Sequence, residues 1–256
     1  MIAELHGKIS GSGSNLSDRL EDNLIGDVFG ALRYLPFQVG MAQSLKAAHI
    51  ENLAKYVSQL ELSYWGDCIR FWPYHELGEP DVFLEFDNAV IGIEVKYLSG
   101  LSSDDEVDNS ISATDILHEE SRNQLARESR IVEEWSYGQK PAYLLFVAND
   151  SACAPICQNV QDRNILAPGV SLGYVSWQEI LAQLSRLTPE SPHERLIVDD
   201  LIQLLNRKGF ERFHSFQLNN CENIDPNEYF SFDYTPLEFT FNLPQIVHKG
   251  DYYEYR

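Results

Sequence analysis

Between residues 79 and 97 the chain reads EPDVFLEFDNAVIGIEVKY, which sets five carboxylates and one lysine among valines, isoleucines and phenylalanines. Residues 81–86 alternate, residues 89–97 are rich in β-branched side chains, and Asp87-Asn88 suits a tight turn, so the segment is expected to form a hairpin. A two-residue loop sets the register: Phe86 opposite Ala89, Phe83 opposite Gly92, and Asp81 opposite Glu94. One sheet face then carries Asp81, Phe83, Glu85, Val90, Gly92, Glu94 and Lys96, and the other carries Val82, Leu84, Phe86, Ile91, Ile93, Val95 and Tyr97. The second face is core. On the first, Asp81 and Glu94 are like charges with Cβ atoms about 5 Å apart, which destabilises a sheet unless a cation lies between them. A divalent metal ion would supply it; a solvated face carrying two acids and a lysine is the other reading, although Phe83, Val90 and Gly92 suit a wet face poorly.

Pro80-Asp81, followed thirteen residues on by Glu94-Val95-Lys96, resembles the PD-(D/E)XK nuclease superfamily, the fold of many restriction endonucleases, in a bacterial, defence-type branch. The resemblance covers roughly residues 17 to 180. It implies phosphodiester hydrolysis of nucleic acid, DNA first, assisted by Mg²⁺ or Mn²⁺. Asp81, Glu94, the backbone carbonyl of Val95 and an acid from a preceding helix would hold the ions, since hard cations prefer oxygen. Lys96 would orient or deprotonate the attacking water and offset developing charge.

Two helices must complete such a site. Residues 17–35 carry an apolar row of Leu20, Leu24, Ile25, Val28, Leu32 and Leu35, with Ser17 as the expected cap and Pro36 as the stop. Glu21 and Asp22 both offer the acid. Helical spacing stacks Glu21 on the buried row with Ile25, Val28 and Leu32, and Asp22 with Gly26, Phe29 and Arg33, so Glu21 is the choice; an ordinary first-turn acid facing the helix dipole is its plain alternative. Residues 113–138 are expected to form a second helix, starting near Thr114 or Asp115, whose row of Leu117, Gln124, Ile131 and Trp135 turns Gln124 inward. A buried amide needs a hydrogen-bond partner, and NQLARE resembles the helix on which these nucleases place a glutamine that orders the water and the lysine. Residues 99–110, polar and acidic, read as a mobile loop outside the site.

The remaining elements read as a helix within 41–62, a first strand near CIRFWPY, strands at 142–149 and 173–177, and a helix from Gln178. The expected fold class is α/β: a restriction-endonuclease-like core with a central mixed β-sheet flanked by helices, over residues 1–185. Residues 186–256 are expected to be a C-terminal extension packed on that core, with a helix closed by Gly209 and an aromatic, strand-like stretch at 231–247.

Composition narrows the classes. Aromatic content of 12% and hydrophobic content of 44% describe a globular chain, and no apolar run approaches the roughly 20 residues of a membrane helix. The amino terminus lacks the layout of a signal peptide, so a cytoplasmic protein with reduced Cys68, Cys153, Cys157 and Cys221 is expected. Cys153 and Cys157 have no second pair to complete a zinc set. The formal charge of -20 repels polyanions at long range and argues against a general nucleic-acid coat protein. Arg70, Arg122, Arg127 and Arg130 could contact phosphates or serve as surface charges. No HExxH, P-loop or GxSxG motif points to another hydrolase. The alternative function is a nuclease-fold interaction protein without catalysis, working through its acidic surface in a defence or restriction assembly; a homodimer or a protein partner is compatible with either.

Overall fold

The computed structural model describes residues 16–62, 64–105 and 119–212, with backbone alone for residues 16–20. Of two compact units, the first runs to Phe213, and the second, residues 214–256, contains the expected 231–247 strand-like stretch and Cys221, which lie outside the described residues.

The protein is an α/β fold with a central five-stranded mixed sheet flanked by helices. In chain order, helices α1 (Leu16–Leu32), α2 (Met41–Lys46) and α3 (Leu53–Ser58) precede strands β1 (Ile69–Phe71), β2 (Val82–Phe86) and β3 (Ala89–Val95). Helix α4 (Gln124–Trp135), strand β4 (Ala142–Ala148), helix α5 (Asp150–Asp162), strand β5 (Val170–Ser176) and helices α6 (Trp177–Leu184) and α7 (Pro192–Arg207) follow. Spatial strand order equals chain order: β1, β2 and β3 pair antiparallel, and β3, β4 and β5 run parallel. None of the helices among the described residues is long and apolar enough to cross a membrane.

The hairpin has the expected register, with Phe86 opposite Ala89 and Phe83 opposite Gly92. Both of its faces are covered. Val82, Leu84, Phe86, Ile91, Ile93 and Val95 join Leu24, Ile25, Val28 and Leu32 of α1, together with α6 and α7, in one cluster, while Phe83 and Val90 join Leu125, Ala126 and Val132 of α4 and Cys153, Cys157 and Val160 of α5 in another. Removing an apolar side chain from water stabilises by about 1.5–3 kcal/mol, so a sheet with two apolar faces drives helices onto both.

Gly92 permits the close approach of α4 to β3. A Cβ there would stand 2.5 Å from Val132 Cγ2, so only glycine lets α4 lie this near β3. That contact holds Gln124 over the end of the strand. Gly173 of β5 plays a similar part at the sheet edge, where an added Cβ would meet the His49 carbonyl oxygen at 2.2 Å.

Four sequence expectations change. The helix expected within 41–62 is two short helices, because His49 leaves the helix to bridge antiparallel to Tyr174, its N–H donating to Tyr174 O at 2.7 Å, and Asn52 turns left-handed at φ 65°. Helix α1 begins at Leu16, one residue before the expected cap Ser17. Helix α4 starts at Gln124 and not near Thr114 or Asp115, since Asn123 caps it by accepting from Leu125 N and Ala126 N; residues 113–118, Leu117 among them, lie outside the described residues. The described part of the 99–110 loop is tied down: Arg163 Nη1 donates to Asp104 Oδ1 at 2.8 Å, Asn123 Nδ2 to the same oxygen at 2.9 Å, and Ser121 Oγ to Asp105 Oδ2 at 2.6 Å.

Candidate active site

Antiparallel pairing brings the start of β2 beside the end of β3, so Asp81 and Glu94-Val95-Lys96 share one end of the sheet. The lysine backbone is clamped there. Lys96 N donates to Val147 O at 2.7 Å, Trp177 Nε1 donates to Lys96 O at 3.0 Å, and Asn149 Nδ2 donates to Tyr97 O at 3.1 Å. Phe210, beyond α7, stacks on Trp177 with ring centroids 5.4 Å apart and meets Tyr97 edge-on. Residues from β3, β4, α6 and the segment after α7 thus fix one backbone turn, which is the kind of support a side chain needs for precise placement.

Glu21, Asp81, Glu94, Lys96 and Gln124 come together at this turn. Lys96 Nζ lies 2.7 Å from Glu94 Oε1 and 3.1 Å from Glu21 Oε1. Glu21 also accepts through Oε2 from Tyr97 N at 2.8 Å and Ser99 Oγ at 2.7 Å. Asp81 Oδ2 accepts from Val95 N at 2.8 Å. Gln124 Nε2 donates to Glu94 Oε1, and Gln124 Oε1 accepts from Ser102 N at 2.8 Å. Each of the five therefore makes a direct bond to another member or to the backbone beside it. Glu21 rather than Asp22 enters the cluster, in keeping with its place on the Ile25, Val28 and Leu32 row.

A sixth member escaped the sequence reading. Glu128 is 4% exposed and faces Glu94 and Gln124. The signal was in the chain: residue 128 stands four positions after Gln124 and three before Ile131, on the row already drawn through both. The sequence reading named the row without its acid. Ser99 and Ser102 were missed for a different reason, since nothing in a polar loop marks which hydroxyl or amide will meet a distant carboxylate.

Crowding acids in the interior shifts their protonation. Burial, and then the Glu94 charge, pushes Asp81 well above the usual carboxylate range, although the residue itself keeps partial exposure. Burial and the neighbouring Glu128 push Glu94 well up, and burial raises Glu128 to about 7. Burial alone would lower Lys96, but Glu94 and Glu21 outweigh it and hold the ammonium above its ordinary value. The lysine stays charged and the acids compete for protons.

A hard divalent cation fits the donor chemistry of this cluster, which offers carboxylate oxygens and the Val95 carbonyl end of β3. The arrangement itself is drawn in around the lysine: among the described residues no group of three or more His, Cys, Asp or Glu side chains stands poised to hold a metal ion, and the Lys96 ammonium bridges Glu21 and Glu94.

Three of the four arginines considered for phosphate contact, Arg70, Arg127 and Arg130, are engaged elsewhere. Arg70 Nη2 pairs with Glu85 at 3.1 Å and its guanidinium lies 4.8 Å from the Phe83 ring centroid. Arg127 donates to Leu77 O at 2.8 Å and to Ser103 Oγ at 3.1 Å, and Arg130 donates to Ser121 O at 3.0 Å. They hold the loops around the cluster. Cys153 and Cys157 are buried thiols on α5 facing β5 carbonyls.

Comparison with known proteins gives no match: no family model, curated protein or solved structure corresponds to the chain.

Proposed function

We propose that the protein is a metal-dependent phosphodiesterase, an endonuclease of PD-(D/E)XK design that hydrolyses nucleic acid, with DNA the first substrate to test. One observation carries the reading: a hairpin, a helix before it and a helix after it, separated widely in sequence, converge Glu21, Asp81, Glu94, Lys96 and Gln124 on a single buried turn at the end of β3. A structural role alone seldom requires four or more acidic and amide groups around one lysine in the interior, because each buried charge costs several kcal/mol unless fully paired.

Asp81, Glu94, the carbonyl of Val95 and Glu21 would hold Mg²⁺ or Mn²⁺, which when bound lowers the pKa of a coordinated water and neutralises the phosphate. The chain's own groups do the rest. Lys96 keeps its proton, so it serves as a donor and a positive charge beside the phosphate oxygens rather than as the base. Gln124, anchored by Ser102 N, keeps its amide nitrogen on Glu94 and holds that carboxylate in one orientation. Glu21, held by Tyr97 N and Ser99 Oγ, does the same from the other side. The restriction-endonuclease-like core belongs to this proposal, and the support for it is the mixed sheet with the site at the β2–β3 end.

The second reading, a nuclease-fold interaction protein working through its acidic surface, is favoured by the Lys96 bridge, which neutralises part of the cluster without any metal ion. Cleavage assays separate the two. Circular and linear, single- and double-stranded DNA are incubated at low salt with Mg²⁺, Mn²⁺ or EDTA, using wild type and Lys96→Ala. Cutting that needs the metal and disappears in Lys96→Ala is the expected result; cutting retained by the variant refutes the assignment.

A further inference from the structure

Among the members of the cluster, Glu128 is the one with a buried polar atom that meets no hydrogen-bond partner. Glu21 receives three hydrogen bonds, Asp81 receives the Val95 amide, and Glu94 receives Gln124 and Lys96. Glu128 Oε2 is enclosed by protein and no donor reaches it. The guanidinium one residue back on α4 donates through Nη1 to Leu77 O and through Nη2 to Ser103 Oγ. A structural carboxylate in the interior is placed where donors satisfy it. This one instead faces another carboxylate, Glu94, and the Gln124 amide one turn back on α4.

We propose that Glu128 is a further oxygen donor of the metal site, so that α4 supplies a carboxylate to the divalent cation alongside Asp81 and Glu94. The inference rests on the metal-dependent reading above and adds to it a ligand from the helix after the lysine strand. Its chemistry is that of a hard cation: a second carboxylate oxygen, unpaired and dry, is the group a Mg²⁺ or Mn²⁺ ion satisfies and a protein donor here does not. The placement follows from Gly92. Only the close packing of α4 on β3 brings residue 128 down to the level of Glu94. One turn earlier on the same row, Gln124 holds Glu94 from the protein side, which leaves Glu128 as the member of the row with a free oxygen.

The test is Mn²⁺ binding to the full chain, by calorimetry and by the loss of the free-ion paramagnetic resonance signal, in wild type, Glu128→Gln, Glu128→Asp, Glu94→Gln and the exposed control Glu133→Gln. Melting temperature in EDTA is measured beside it. The expected result is binding in wild type and Glu133→Gln, its loss in Glu94→Gln, and a weakening of about tenfold or more in Glu128→Gln, part of which Glu128→Asp restores. Glu128→Gln should melt no lower than wild type in EDTA, because it removes the charge of a buried carboxylate whose Oε2 has no donor; a purely structural acid would show the reverse, lower melting and unchanged affinity. Wild-type affinity in both Glu128 variants, with binding lost in Glu94→Gln, overturns this inference and leaves the metal-dependent reading standing. Absence of Mn²⁺ binding in wild type overturns both.

Discussion

Replacing Lys96 with methionine tests whether the lysine holds the cluster together in the absence of metal. Methionine keeps an unbranched side chain one heavy atom shorter and removes the ammonium, with its charge and its donors. The Glu94 and Glu21 carboxylates then lose their partner in the interior. At an effective dielectric near 20, a unit charge pair at the 2.7 Å separation from Glu94 is worth about 6 kcal/mol, and at the 3.1 Å separation from Glu21 about 5 kcal/mol. Burying the ammonium, whose side chain is 8% exposed, cancels several kcal/mol of that gain. Removing one partner of a buried pair costs about 3–5 kcal/mol, so Lys96→Met should lose about that much stability in EDTA. For a domain of this size, 1 kcal/mol moves the melting temperature by about 2–4 °C, and the expected fall is roughly 6–20 °C by calorimetry or circular dichroism. The double variant Lys96→Met/Glu94→Gln should recover most of the loss, a coupling that a thermodynamic cycle isolates. An equal or higher melting temperature for Lys96→Met would show that the acids are neutral at the working pH, and the account of the lysine as their counter-ion would fall.

Two further outcomes follow from packing and burial. Gly92→Ala drives a methyl group to within 2.5 Å of Val132 Cγ2, so it should destabilise by about 1–3 kcal/mol through overpacking; an unchanged melting curve would mean that α4 moves off the sheet at no cost. Burial pushes Cys153 and Cys157 up to about 12, and a raised thiol pKa leaves the neutral form dominant at every pH below it. At pH 8 only about one thiol in ten thousand is thiolate, so peptide mapping after iodoacetamide treatment should find both unlabelled in the native protein and labelled after denaturation, with pH 9.5 making little difference; rapid native labelling would refute the burial.

Period-two patterning carried the fold where local rules dominate. The hairpin register was legible because Asp87-Asn88 allows one loop length and a slip of one residue would exchange the two faces. The row that chose Glu21 over Asp22 was legible because Ile25, Val28 and Leu32 leave α1 a single way to lie on the sheet. Where tertiary pairing overrides propensity the reading failed. Residues 41–62 look helical throughout, yet the His49 backbone finds a partner in Tyr174 that helix continuation would forbid. The loop after β3 looks mobile from its charge, yet Arg163, more than fifty residues on, pins Asp104 and Asp105. No local pattern announces a partner at that distance.

Glu128 shows how the site and the fold constrain each other. A row of inward residues on α4 is read as core when it carries isoleucine and tryptophan and as site when it carries glutamine, and the acid on the same row, with Oε2 buried and unmatched, sides with the glutamine. The sheet enforces that burial. Gly92 lets α4 settle onto β3, Val132 and Leu125 lock it there with apolar contacts, and the free energy of that packing is spent in carrying Gln124 and Glu128 to Glu94 against electrostatic repulsion. One lysine opposes four carboxylates in the finished cluster, an imbalance that a protein selected only for stability would shed by exchanging any one acid for its amide. That the chain keeps Asp81, Glu94 and Glu128 together, each pushed above its ordinary pKa, is in keeping with the proposed metal-dependent reading, in which a cation would supply the balancing charge.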